Sequence, residues 1–241
     1  VIYRKKQDPK NPLGYHLLFA PDVCQGPDGR YYLYYAFDFL GIMSVAVCDT
    51  PAGEYKFLGH IHYADGTLWG RRRGDQLPFD PGVLLDDDGR VWLYSGFYNA
   101  VPAILTGGHK LRCDGGTVLE LEKDMVTIKT EPRVIFPKKG PGAFQGHEFF
   151  EASSIRKEGK TYIFVYSSRH NHELCYATSQ SPDRGFSYGG TLVSQGDIFL
   201  DSNLSEKHAA NYLGNTHGGL LKLEDKWYVF YHRQTNRHSY S

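Results

Sequence analysis

Methionine is scarce in this chain of 241 residues, at two, and cysteine is little commoner, at four. Cys24, Cys48, Cys113 and Cys175 contain no CxxC pair, which excludes the usual zinc-knuckle spacing. Cys24, Cys48 and Cys175 fall in apolar, strand-like runs and are read as buried free thiols; pairing among the four is left open. An excess of one charge is also missing, since 27 Lys and Arg balance 27 Asp and Glu. Without a basic field, nucleic acid is not the expected partner. Apolar runs are only a few residues long, far short of the roughly 20 residues of a membrane-spanning helix. No stretch of ten or more residues carries the apolar period of an amphipathic helix. The sequence starts at Val1 without an apolar leader stretch and ends in a polar segment, residues 234–241. It is therefore read as a processed chain or a fragment.

Aromatic residues, by contrast, make up 15% of the chain, and glycine numbers 27. Such a composition excludes disorder and leans toward strands and turns. The length suits one large domain or two small ones, with a sizeable core. Four segments share one pattern: a tight turn at Gly29, Gly89, Gly159 or Asp225, followed by YYLYYAF, VWLYSGF, TYIFVYSS or WYVFYHR. A short apolar strand precedes each turn, so each repeat opens with a hairpin. The turns are spaced by 60, 70 and 66 residues. Four-stranded units repeated in this way predict an all-β fold of the β-propeller type.

In a propeller the first strand of each blade lines the central channel. Counting back 7, 9, 8 and 8 residues from the four turns reaches Asp22, Asp80, Glu151 and His217. The expectation is that all four stand at one phase and converge on the axis. Carboxyl groups crowded in a buried funnel raise one another's pKa, which keeps an acid protonated near neutral pH. Phe19, Phe79 and Phe150 flank these positions and would pack against a sugar or keep the pocket dry, with plain core packing the equal alternative.

These segments resemble glycoside hydrolase family 43. The matching stretches are APDV at 20–23, FDPGVLLDDDG at 79–89, FFEASSIRK at 149–157 and NTHGGLLKLEDKWYVFYHRQTN at 215–236. The resemblance implies a five-bladed propeller with about four blades in this chain, residues 1–241 forming a single catalytic domain. It implies an inverting hydrolase that releases arabinofuranose or xylose from plant polysaccharides or oligosaccharides, secreted or periplasmic, with no required cofactor. By motif, Glu151 is the general acid, and Asp80 orients it and raises its pKa. Asp22, Phe19, Phe79 and Arg233 bind substrate, Phe19 taking the place of a Trp common in relatives. His217 is the central histidine, near a water-ligated calcium on the axis. The general base is expected in a further blade ahead of Asp22, outside this chain. Asp8-Pro9 mimics its motif, but only 14 residues before Asp22 and with no DG hairpin between. The related fructosidase clan shows RDP and EC where this chain has FDP and EAS.

Several other signals are read as structural. His60 and His62, and His170 and His172, have spacings that could hold a metal but are expected to be ordinary loop and strand residues. Asp86-Asp87-Asp88-Gly89 lacks the ligand spacing of a calcium loop and is read as a turn. The run Arg71-Arg72-Arg73 ahead of Asp75 is read as a solvated loop, with an arginine at the pocket rim, just before Asp80, as the alternative. Asn203 opens a glycosylation sequon. The rival functional class is a propeller that binds carbohydrate without cleaving it; a scaffold for protein partners would not need an acidic channel.

Overall fold

The DG turns fold as hairpins through local chemistry. The computed structural model describes residues 2–170, 172–196, 198, 205–214 and 216–232. Asp28 accepts the backbone N–H and the Nε–H of Arg30 at 3.1 and 2.7 Å, and Asp88 does the same for Arg90 at 3.1 and 2.7 Å. Gly29 and Gly89 take φ of +82° and +79°, a conformation glycine adopts without steric cost.

From these turns grow three antiparallel four-stranded sheets, each in sequential order. The first holds β1 (Leu18–Gln25), β2 (Tyr31–Phe37), β3 (Met43–Cys48) and β4 (Lys56–His60). The second holds β5 (Gly82–Leu85), β6 (Val91–Phe97), β7 (Gly115–Leu121) and β8 (Arg133–Pro137). In the third are β9 (Phe149–Glu158), β10 (Thr161–Ser168), β11 (Glu173–Ser179) and β12 (Ser187–Ser194). Two strands, β13 (His217–Leu223) and β14 (Lys226–His232), make the fourth sheet among the described residues. First strands are neighbours in space: β5 packs against β1 and β9, and β9 against β13. This is the radial blade arrangement of a propeller, and four blade units are present as expected. Among the described residues no helix is long and apolar enough to cross a membrane.

The aromatic second strands are unbroken because they are buried on both faces. In β2, Tyr32 and Tyr34 point into a core shared with Val83 and Leu93 of the second blade, while Leu33 and Tyr35 point the other way, toward Tyr3 and Tyr55. In β6, Val91 and Leu93 face the first blade, and Trp92 and Tyr94 face the third. Successive side chains of a strand alternate in direction, so a blade between two neighbours needs apolar residues at every position. The core between the second and third blades is aromatic, with Phe136 stacked on Phe164 at 4.3 Å. On β14, where no further strand pairs among the described residues, the same kind of sequence lies open: Trp227, Tyr228, Phe230 and Tyr231 are 37–60% exposed.

Blades meet most closely at the axis. A Cβ built on Gly82 would lie 2.8 Å from the carbonyl oxygen of Ser153, a backbone atom that cannot swing aside. Gly82→Ala is therefore expected to destabilise the fold by about 1–3 kcal/mol through overpacking, measurable as a lower midpoint in urea at unchanged slope.

Candidate active site

Register locates each predicted residue. Val23, Val83, Ile155 and Leu220 pair with Leu33, Leu93, Phe164 and Val229 at equivalent places in the four hairpins. From that layer, Asp80 and His217 stand three residues earlier, Glu151 four earlier and Asp22 one earlier. The expectation of one shared phase is corrected. The β1–β2 and β5–β6 turns are longer than the β9–β10 and β13–β14 turns, and β1 carries a bulge between Phe19 and Asp22. Counting back from a turn therefore drifts by up to three positions.

The structure brings Asp80 and Glu151 together. Asp80 ends the segment before β5, with φ of +50°, and its Oδ2 accepts the N–H of Ala152 at 3.0 Å. Ala152 is itself left-handed, at φ +68°. The bend places the Glu151 side chain beside Asp80. Burial pushes both carboxyls up, Glu151 to about 7 and Asp80 well above the ordinary carboxylate range. Repulsion from Glu151 adds to the shift of Asp80, and the Ala152 N–H opposes it. Low dielectric disfavours the charged form of each, and two anions at close range disfavour one another. His217 opens β13 opposite His232. Desolvation, reinforced by His232, pushes its imidazole down to about 4, so it is neutral across the physiological range.

Asp22 does not join this pair. Its Oδ2 accepts the N–H of Val83 at 2.9 Å, its Oδ1 accepts its own successor's N–H at 3.0 Å, and Oδ1 faces Arg156 Nη2 at 3.9 Å. The expected substrate-binding role is corrected: Asp22 ties the first blade to the second. Arg156, which sequence reasoning passed over, also donates to the carbonyl of Leu220 at 2.9 Å. It thus links the innermost strands of the first, third and fourth blades below the carboxyl pair. Phe79 is corrected as well. It is 4% exposed and packed among Phe19, Phe39 and Phe97 at ring distances of 5.1–5.9 Å, so it underlies the pocket and offers no face to a sugar. Phe19 is half-buried in the same cluster. Arg233 and Asn203 lie outside the described residues.

Two further features adjoin the phenylalanine cluster and Glu151. Phe39 stacks on Phe79 at 5.1 Å, and its loop is held by Arg71, whose guanidinium donates to the carbonyls of Leu40, Gly41 and Gly70. Asp75 is 8% exposed and accepts from Tyr63 Oη and the N–H groups of Gly70 and Arg72. The arginine-rich stretch is thus a built loop, not the solvated one expected. Beside Glu151, an open cleft of about 440 Å³ is lined by Tyr98, Asn99, Phe150, Arg169 and His170. Tyr98 and Arg169 directly follow the second strands of their blades, the end at which Asp80 and Glu151 lie. That position was a usable sequence signal.

The remaining motifs have structural partners. His60 Nε2 bonds Asp8, and His62 Nδ1 the carbonyl of Tyr63. His170 bonds the carbonyl of Gly146, and His172 Nδ1 bonds Ser194. Asp8 is fully buried and also accepts from Tyr35, over the first blade's outer strands and away from the carboxyl pair. Asp86 accepts from Lys157 and Tyr162 of the next blade, leaving it no role as a calcium ligand. All four cysteines are free, Cys113 and Cys175 buried, Cys24 and Cys48 half-buried.

The axis of this propeller thus gathers two buried carboxyls whose charged forms are disfavoured. The model of the glycosyl hydrolases family 43 matches residues 1–241, and the chain belongs to this family. A xylosidase/arabinosidase of Thermoclostridium stercorarium is 51% identical over 245 residues, covering all of this chain and 50% of the relative. The chain thus spans about half the length of that protein. Among solved structures, an α-L-arabinofuranosidase of Clostridium thermocellum superposes with a TM-score of 0.62 at 26% identity, over 90% of this chain and 61% of the other. A β-xylosidase/α-arabinofuranosidase of the same family from a compost metagenome, solved with xylotriose in a calcium-free form, gives 0.62 at 27% identity, over 89% and 64%.

Proposed function

We propose that this chain carries the acid side of an inverting glycosidase site that hydrolyses arabinofuranosyl or xylosyl linkages in plant cell-wall polysaccharides or oligosaccharides. The observation that carries the proposal is the buried pair Asp80–Glu151, with Glu151 pushed up to about 7. A binding module gains nothing from two carboxyls held in this costly state; an acid catalyst needs one that keeps its proton near neutrality. Glu151 holds that proton and gives it to the glycosidic oxygen as the bond to the sugar breaks. Two carboxyls this close do not ionise together, so over the working range the pair carries one negative charge; the Ala152 N–H steadies it on Asp80, which makes Asp80 the positioning residue that keeps the proton on Glu151. Negative charge here also stabilises the oxocarbenium-like transition state.

Inversion requires a second carboxylate roughly 6.5–9.5 Å away to activate water. Asp22 is committed to two N–H groups and Arg156, so we assign the base to a residue outside the described ones. The cleft lined by Tyr98 and Phe150 is the seat for the leaving sugar, whose apolar face suits an aromatic ring. The choice of pentose follows the names of the relatives. A calcium ion on the axis takes six to eight oxygen donors, which here would come from water, with His217 beside it. Among the described residues His217 belongs to no cluster of three metal-binding side chains.

The protein completed with the blade that supplies the base, assayed on a panel of aryl arabinofuranosides, xylosides and galactosides with the product anomer read by NMR, is expected to release a pentose with inversion. Retention of configuration, or action on galactosides alone, overturns the reading.

A further inference from the structure

Within the third blade, away from the axis, three side chains with different donor atoms converge. We propose that His147, Glu173 and Cys175 form a binding site for a soft-to-borderline divalent metal ion, with zinc as the expected occupant. Among the described residues this is the one group of three His, Cys, Asp or Glu side chains whose ligand atoms all lie within 4.8 Å of one another. His147 Nδ1 is 2.9 Å from Glu173 Oε2, and Cys175 Sγ is 3.7 Å from the same oxygen. With zinc–nitrogen and zinc–oxygen bonds of about 2.0–2.2 Å and a zinc–sulfur bond of about 2.3 Å, tetrahedral geometry puts N and O about 3.4 Å apart, and O and S about 3.6 Å apart. The O···S edge is already in place, and the N···O edge needs to open by about half an ångström.

Charge and support fit the same occupant. A neutral imidazole, a carboxylate and a thiolate carry two negative charges, which cancel those of a divalent cation in a half-buried site. On binding, the thiol proton of Cys175 leaves to solvent as the sulfur–metal bond forms, and nothing is oxidised or reduced. The ligands are held from behind, as metal ligands usually are. Ser168 donates to Glu173 Oε2 at 2.7 Å, and the His147 ring lies on Tyr188 at 4.4 Å with planes 11° apart. Tyr166 fixes the His147 carbonyl at 2.8 Å. Glu173 and Cys175 are buried while the His147 side chain is 32% exposed, so an ion reaches the site past the imidazole and the fourth position is open to water. Without a metal, the cluster has the His–Glu pair, the Ser168 bond to Glu173 and long sulfur contacts at 3.7 and 3.8 Å.

The test is a titration of the purified, metal-stripped protein with Co²⁺, then competition by Zn²⁺. One Co²⁺ per chain is expected, with a thiolate-to-cobalt charge-transfer band and the intense visible bands of a tetrahedral site, all displaced by Zn²⁺. Cys175→Ser should abolish the charge-transfer band while the circular dichroism stays native, and His147→Ala should weaken binding at least about tenfold. Should Cys175→Ser fail to fold, His147→Ala decides the matter, since its ring is partly exposed and gives up chiefly the stack on Tyr188. A folded wild-type protein with no stoichiometric Co²⁺ band overturns the site. So does a band that survives unchanged in Cys175→Ser, which would place the ion on Cys24, Cys48 or Cys113, or binding that is not weakened in His147→Ala.

Discussion

Glu151→Gln is expected to lower kcat/KM by about 10²–10⁴-fold on glycosides with poor leaving groups, the range that general acid catalysis contributes. Aryl glycosides with acidic phenols should lose far less, because a leaving group that departs as a stable anion needs no proton. The amide keeps the size of the carboxyl, so the fold should persist. The pH profile supplies a second readout. Activity of the parent enzyme should fall as pH rises past about 7, where Glu151 loses its proton, and the variant's residual activity should lack that limb. Equal losses on both substrate types would remove Glu151 from the acid's role.

Asp80→Asn should act through its neighbour. Asparagine tolerates the left-handed backbone that Asp80 occupies at φ +50° better than other residues with a Cβ, and its carbonyl still accepts the Ala152 N–H. What it removes is the charge. Repulsion is mutual, so the alkaline limb should move to lower pH, and above it each unit costs about tenfold in protonated Glu151. A merely structural Asp80 would lower activity without moving the limb. Stability should change in the opposite direction. Asp80 and Glu151 both bind a proton more tightly in the folded state, so their contribution is complete below the ordinary carboxylate range and is lost as pH climbs through the raised values. Asp80→Asn drops one of these losses. The gap in Tm between variant and parent should therefore widen in the variant's favour from pH 4 to pH 8. A gap that stays constant, or closes, would mean that Asp80 is not raised.

Much of the fold was legible because its cause is local and repeated. Asp-Gly turns start hairpins wherever they occur, and a run such as YYLYYAF has no amphipathic reading, so it must be covered on both faces. Asp80 and Glu151 were also legible, since a residue opening the first strand of a blade can hardly avoid the axis. What failed was anything that depended on a shift of one or two residues. Asp22 sits only two layers below Asp80, but in a strand that changes its neighbours completely, from a pocket to the amides of the next blade. Phe79 was misjudged because burial by Phe19, Phe39 and Phe97 comes from three separate segments. Arg71 and Arg156 escaped because each acts on backbone carbonyls, and a carbonyl carries no sequence mark. His147 escaped for another reason: its side-chain partners Glu173 and Cys175 stand on β11, two strands away from β9.

The hydrogen bond from Ala152 to Asp80 joins two blades, not two residues of one. Acid strength in this pocket is therefore a property of a seam: it exists only while the second and third blades stay pressed together. Water admitted there would let both carboxyls ionise long before either sheet came apart. A substitution anywhere along that joint, in Phe136 or Phe164 as much as at the axis, would thus be felt first as loss of the proton held there and only later as a loss of structure.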